Sequence, residues 1–146
     1  MRLVDANVLL YADNADAEQH LAARNWLIEA LSGPEVLIVP WTNVISYLRI
    51  STDPRIHPEA NTLPDALAFI GAVLEADVVL AGDPDRHHFG RVAQMLRATG
   101  RGGNLVNDAH LAALALQYDA TVVSYDNDFS RFPGVRWERP PPVPAD

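Results

Sequence analysis

Asn104–Phe129, NLVNDAHLAALALQYDATVVSYDNDF, holds a helix, a turn and a strand in close succession. Leu105 to Leu116 is almost entirely Leu, Ala and Val, so this helix is expected to be buried over most of its surface. Asp108 near its start is then out of place. A carboxylate among apolar neighbours is costly unless a cation or a hydrogen-bond donor meets it. Thr121 to Ser124 reads as a short β-branched strand, and Asp126-Asn127-Asp128 begins where it ends. The first strand of the chain, Arg2-Leu3-Val4, also ends on an acid, Asp5. Sites in open α/β sheets form beyond the carboxyl ends of the strands. Asp5, Asp108 and Asp126 are therefore expected to converge on one sheet edge.

The rest of the chain alternates strands with helices. A first helical turn or two is expected over Val8 to Tyr11. A second helix carries a stripe of Ala17, Leu21, Ile28 and Leu31 and ends at Gly33-Pro34. Val36 to Val39 is the second strand, and Pro40 opens a helix to about Ser51. After a loop over Ile56 to Asn61, Thr62 and Asp65 resemble a capping box, with Pro64 in the first turn. Leu63, Leu67, Ile70 and Leu74 form the expected buried stripe of that helix. Asp77 to Ala81 is the third strand and Gly82-Asp83-Pro84 the turn after it. A helix from about Asp85 to Thr99 is expected to bury Phe89, Val92, Ala93 and Leu96. Gly100-Arg101-Gly102-Gly103 leads into the opening stretch, and Val135 to Glu138 reads as an edge strand. This alternation predicts an α/β fold with a mostly parallel central sheet and helices on both faces. One domain is expected over residues 1–139, followed by an extended Pro-rich tail over residues 140–146.

Composition narrows the function classes. The 146 residues suffice for one domain with a sizeable core. The chain has no cysteine, which removes disulfides, thiolate nucleophiles and Cys-based zinc sites. No apolar run reaches the roughly 20 residues needed to span a bilayer, and no signal peptide is legible. A cytoplasmic location is expected, with no membrane partner. The formal charge of −8 argues against a nucleic-acid partner. That objection weakens if the carboxylates surround a cation, whose own charge then dominates locally. All 11 basic residues are Arg, the better bidentate phosphate ligand, although the same bias arises from a GC-rich coding sequence.

Each acid also has a plain structural reading. Asp5 can cap the helix after it, Asp108 can favour the start of its own helix, and Asp126 to Asp128 can be a turn. Their joint placement on one edge favours a site. Several oxygen ligands with no His or Cys pattern suit Mg²⁺ or Mn²⁺, and such clusters cleave phosphodiesters. Trp26, Trp41 and Trp137 read as core or interface. His87 and His88 read as solvated, and His110 points away from Asp108.

Leu3-Val4-Asp5-Ala6-Asn7, Asn107-Asp108-Ala109-His110-Leu111 and Ser124-Tyr125-Asp126-Asn127-Asp128-Phe129, in that order, resemble a PIN domain, and more narrowly the VapC toxins of bacterial toxin–antitoxin pairs. The resemblance implies a PIN-like three-layer domain acting as a Mg²⁺-dependent endoribonuclease, with Mn²⁺ as a substitute. It also implies a homodimer, a VapB-type antitoxin and products with a 5′-phosphate and a 3′-hydroxyl. It makes Asp5 and Asp108 the principal metal ligands, with Asp126 completing the catalytic acids and Asp128 beside them. Asn7 and Ser124 would support them by hydrogen bonding. Arg49 and Arg101 are the candidate RNA contacts.

One departure stands out. Many PIN domains carry a glutamate in the helix after the second strand, but Trp41 to Ile50, WTNVISYLRI, contains no acid. The Leu48-Arg49 register puts Ser46 in that place, which favours one ion over two. It also opens an alternative, a catalytically silent PIN-like binding module. An aspartyl-phosphate phosphatase is disfavoured, because Asn7 stands where a second acid is needed and the chain has no Lys.

Overall fold

The computed structural model describes residues 1–145, so Asp146, the end of the expected tail, lies outside the described residues. The strands are β1 (Arg2–Val4), β2 (Leu37–Ile38), β3 (Val79–Leu80), β4 (Thr121–Val123) and β5 (Trp137–Glu138). The helices are α1 (Ala6–Asp13), α2 (His20–Ser32), α3 (Trp41–Ser51), α4 (Leu63–Leu74), α5 (His88–Thr99) and α6 (Leu105–Tyr118). A 3₁₀ helix spans Asn127–Arg131. All four strand pairings are parallel, in the order β3-β2-β1-β4-β5.

Alternation along the strands builds a core on each face of the sheet. Val4, Leu37, Val39 and Val123 point into one apolar layer with α1 to α4. Leu3, Ile38 and Val122 point into the other, with Met95 of α5 and the buried face of α6. The topology explains this division. From β1 through β2 to β3 the chain moves outward in one direction; it then crosses over to β4 and moves the other way. Right-handed crossovers place the helices of the two excursions on opposite faces. The expected parallel α/β sandwich is the fold observed.

Local signals set the helix ends. Thr62 accepts a hydrogen bond from Asp65 N at 3.2 Å, capping α4 with Pro64 in its first turn. Gly100 closes α5 in the left-handed region with φ 65°. After β3, Gly82 has φ 71°, and a Cβ there would stand 2.5 Å from the Ile38 side chain. Only glycine fits that turn without displacing the sheet.

Three expected stripes are corrected. In α2 the buried residues are Ala23, Trp26 and Leu27, while Leu21 and Ile28 are exposed. In α4 they are Ala66, Ile70 and Val73, while Leu63 and Leu67 are exposed. In α5, Phe89 is 82% exposed and Met95 takes the core position. These helices carry apolar residues on more than one face, so periodicity alone does not select the face that meets the sheet. Helix α1 also begins earlier than expected, at Ala6, because Asp5 caps it. Trp26 is core, whereas Trp41 is exposed.

Candidate metal centre

The sheet reverses its direction of growth between β1 and β4, the switch point beyond whose strand ends sites in open α/β sheets form. Asp5 follows β1 directly and is buried. Its Oδ1 accepts from Ala6 N at 2.7 Å, capping α1. Its Oδ2 accepts from Ser124 Oγ at 2.7 Å. Capping and site placement are therefore one arrangement, with the carboxylate held at both oxygens.

Ser124, fully buried after β4, ties the strand ends together. Its Oγ accepts from Asn7 Nδ2 at 3.1 Å and from Asp126 N at 3.0 Å while donating to Asp5. The Asn7 side-chain oxygen accepts from Tyr125 N at 3.3 Å. The expected hydrogen-bonding pair, Asn7 and Ser124, is thus in place around Asp5. The Trp137 indole donates to Ser124 O at 2.9 Å and anchors the edge strand to the same point.

Asp126 caps the 3₁₀ helix by accepting from Asp128 N at 2.8 Å. Asp108, in the first turn of α6, faces this loop. Carboxylate oxygens of Asp108, Asp126 and Asp128 all lie within 4.8 Å of one another. Burial, reinforced by the charges of Asp126, Asp5 and Asp128, pushes the pKa of Asp108 up to about 7. Burial also raises that of Asp5, with hydrogen bonds from Ser124 and Ala6 opposing the shift. Among the described residues no Arg pairs with Asp5, Asp108 or Asp126, and Arg131 meets Asp128 at 3.3 Å. Uncompensated carboxylates at such separations fit a hard divalent cation with oxygen ligands. Asp5 is not among the three that approach most closely.

The structure separates the remaining candidates. Ser46 makes no hydrogen bond to the acids. One turn earlier on α3, Asn43 does reach the strand end, its Nδ2 donating to Val4 O at 2.7 Å. Asn43 is fully buried and its Oδ1 has no partner. Sequence reasoning missed it; the signal was a lone amide at the spacing of Val44, Tyr47 and Ser51, the buried face of α3. Arg101 lines a cavity of about 450 Å³ whose walls include Asn104, Asp128 and Arg131. Arg49 is exposed in the last turn of α3.

His88 is not simply solvated. Its Nε2 lies 2.7 Å from His110 Nδ1, joining α5 to α6 away from the acids. His110 accordingly faces away from Asp108, as expected.

The PIN domain family profile matches residues 2–135. Ribonuclease VapC37 of Mycobacterium tuberculosis is 43% identical over 141 residues, covering 97% of this chain and 98% of its own. Ribonuclease VapC31 of the same species is 36% identical, covering 97% and 99%. Among solved structures, VapBC2 from Rickettsia felis, bound to a DNA fragment from its promoter, superposes with a TM-score of 0.66 at 16% identity, covering 94% of this chain and 97% of that one. VapBC-1 from nontypeable Haemophilus influenzae gives 0.65 at 20% identity, covering 94% and 96%. The two structures share the fold, and the sequence relatives extend the likeness along nearly the whole chain. With the family profile matched over residues 2–135 and a relative 43% identical along nearly the whole chain, the protein belongs to the PIN domain family and, within it, to the VapC group.

Proposed function

We propose that the protein is a metal-dependent endoribonuclease, the toxin of a toxin–antitoxin pair, neutralised by a VapB-type antitoxin. The observation that carries this reading is the close set of Asp108, Asp126 and Asp128 beside Asp5 at the sheet's switch point, without a compensating Arg on the principal acids. Mg²⁺ is the ion proposed, with Mn²⁺ as a substitute, because every available ligand is an oxygen. A bound divalent ion would supply charge stabilisation at the scissile phosphate and a more acidic water.

The chain's own groups do the positioning. Ser124 and the α1 N-terminus fix the Asp5 carboxylate, and Asn7 locks Ser124 in turn. Asp126 is held by Asp128 N, so its free oxygen stays toward Asp108. Arg101 and Arg131 line the cavity beside Asp128 and would meet RNA phosphates there. Cleavage would leave a 5′-phosphate and a 3′-hydroxyl. Helix α3 contributes no carboxylate, which favours one ion, and its Asn43 braces the end of β1.

No helix is long and apolar enough to cross a membrane among the described residues, and an RNA substrate fits the expected cytoplasmic location. Trp41 and Ile45 on α3, and Leu63 and Leu67 on α4, are exposed at helical spacing. They offer apolar surface to an antitoxin or to a second copy of the chain.

Total bacterial RNA incubated with Mg²⁺ or Mn²⁺, with EDTA, and with Asp5→Asn/Asp108→Asn protein provides the test. Discrete fragments are expected only from the wild type with metal. Cleavage that survives both EDTA and the double substitution would overturn this assignment. A folded wild type that binds Mn²⁺ but cuts nothing would favour the binding-module alternative.

A further inference from the structure

A second cavity, of about 400 Å³, runs along α1 from Asn7 to Asn14. Asn7, Leu10, Tyr11 and Asn14 form one wall, a single stripe at helical spacing. Ile50 and Ser51 at the end of α3, with Ile56 and His57 of the following loop, form the other. Its floor is a fixed polar knot: the Tyr47 hydroxyl donates to Asp13 Oδ2 at 2.6 Å, and the Asn61 amide donates to the same oxygen.

Two groups on the walls lack partners. Ser51 is 5% exposed, and its Oγ lies beside the Tyr47 hydroxyl without a hydrogen bond of good geometry. His57 Nδ1 is buried and also unpaired, although its Nε2 lies 2.9 Å from Asn14 Nδ2. Buried polar groups are ordinarily satisfied, so both can take a ligand's donors and acceptors. Aliphatic walls, one tyrosine edge and a few polar groups suit a flat heterocycle, the usual way an unpaired RNA base is read.

Position decides the occupant. Asn7 lines this cavity and also holds Ser124, the partner of Asp5. Arg49, next to Ile50, is exposed and in no ion pair among the described residues, so it is free for a phosphate. We propose that the α1 groove is a subsite for one unpaired ribonucleotide flanking the cleaved bond, its base against Tyr11 and Ile56 and its polar edge read by Ser51 and His57. This rests on the ribonuclease reading.

Two measurements separate the subsite from that reading. In the first, metal-free protein is titrated with each of the four ribonucleoside 5′-monophosphates and with inorganic phosphate, following backbone and imidazole NMR signals. Shifts at Asn14, Ser51 and His57 that differ among the bases and are absent with phosphate are expected; no base-dependent shift there overturns the subsite, whether or not the protein cuts RNA. In the second, a randomised RNA pool is cut by the wild type, Ser51→Ala and His57→Ala. Each variant is expected to lose about five- to tenfold of the preference for the base beside the cut, the effect of one hydrogen bond, with Mn²⁺ affinity unchanged. Wild-type cleavage with identical base preference in both variants also overturns the subsite. A wild type that shows the base-dependent shifts but cuts no RNA would retain the nucleotide site and refute the nuclease.

Discussion

Asp108 is a carboxylate whose neighbours disfavour its charge. Burial first, then Asp126, Asp5 and Asp128, lift its pKa from the ordinary 3.8 up to about 7. The folded protein therefore holds a proton that the unfolded chain releases. By linkage, stability contributed here is present below about pH 4 and falls as pH rises toward 7. Metal-free wild type is expected to lose urea resistance between about pH 4 and pH 7, and Asp108→Asn to lack most of that slope. Equal slopes in the two proteins would show that Asp108 does not hold the proton. Its position among apolar residues was legible in the sequence, since a single acid in a Leu/Ala/Val helix demands a reason. Asn43 was harder to find, because an amide on a helix reads as ordinary until its burial is known.

At the level of elements, the seam between α5 and α6 is closed by two imidazoles sharing one hydrogen bond. Burial lowers both pKa values; Arg91 adds to the effect at His88, where Asp85 opposes it, and His88 adds to it at His110. A proton added to the accepting nitrogen of the pair would set two N–H groups against each other. The unfolded chain binds protons more readily than this pair, so stability is lost as pH falls through the ordinary histidine value of 6.5. The double variant His88→Phe/His110→Leu is expected to flatten thermal stability between about pH 5 and pH 7, and an unchanged profile would assign acid sensitivity elsewhere. The turn after β3 makes a different demand. Gly82→Ala is expected to cost more than about 1 kcal/mol in denaturant unfolding, because it combines a positive φ with a clash on Ile38. A neutral result would mean that this turn shifts freely.

Across the whole molecule, helices α1 and α6 and the 3₁₀ turn bring like charges from opposite ends of the chain to one edge. An ion binding there should stabilise the native state by mass action, by about 2.7 kcal/mol at a hundredfold excess over Kd. Mn²⁺ is expected to raise the melting temperature of the wild type by several degrees, EDTA to reverse it, and Asp108→Asn/Asp126→Asn to abolish it. A full shift in that variant would place the ion elsewhere.

The sequence by itself determined the alternation of strands and helices, the parallel sheet, and the acids after β1, on α6 and after β4. These follow from local causes: β-branched runs, glycine and proline stops, and carboxylates where the chain leaves the sheet. Only the tertiary structure decided which face each outer helix buries, as with Ala23 and Trp26 rather than Leu21 and Ile28 in α2. It alone paired His88 with His110 and drew Asn43 under the strand end. The reason is that these choices depend on what packs opposite, and residues distant in sequence supply it.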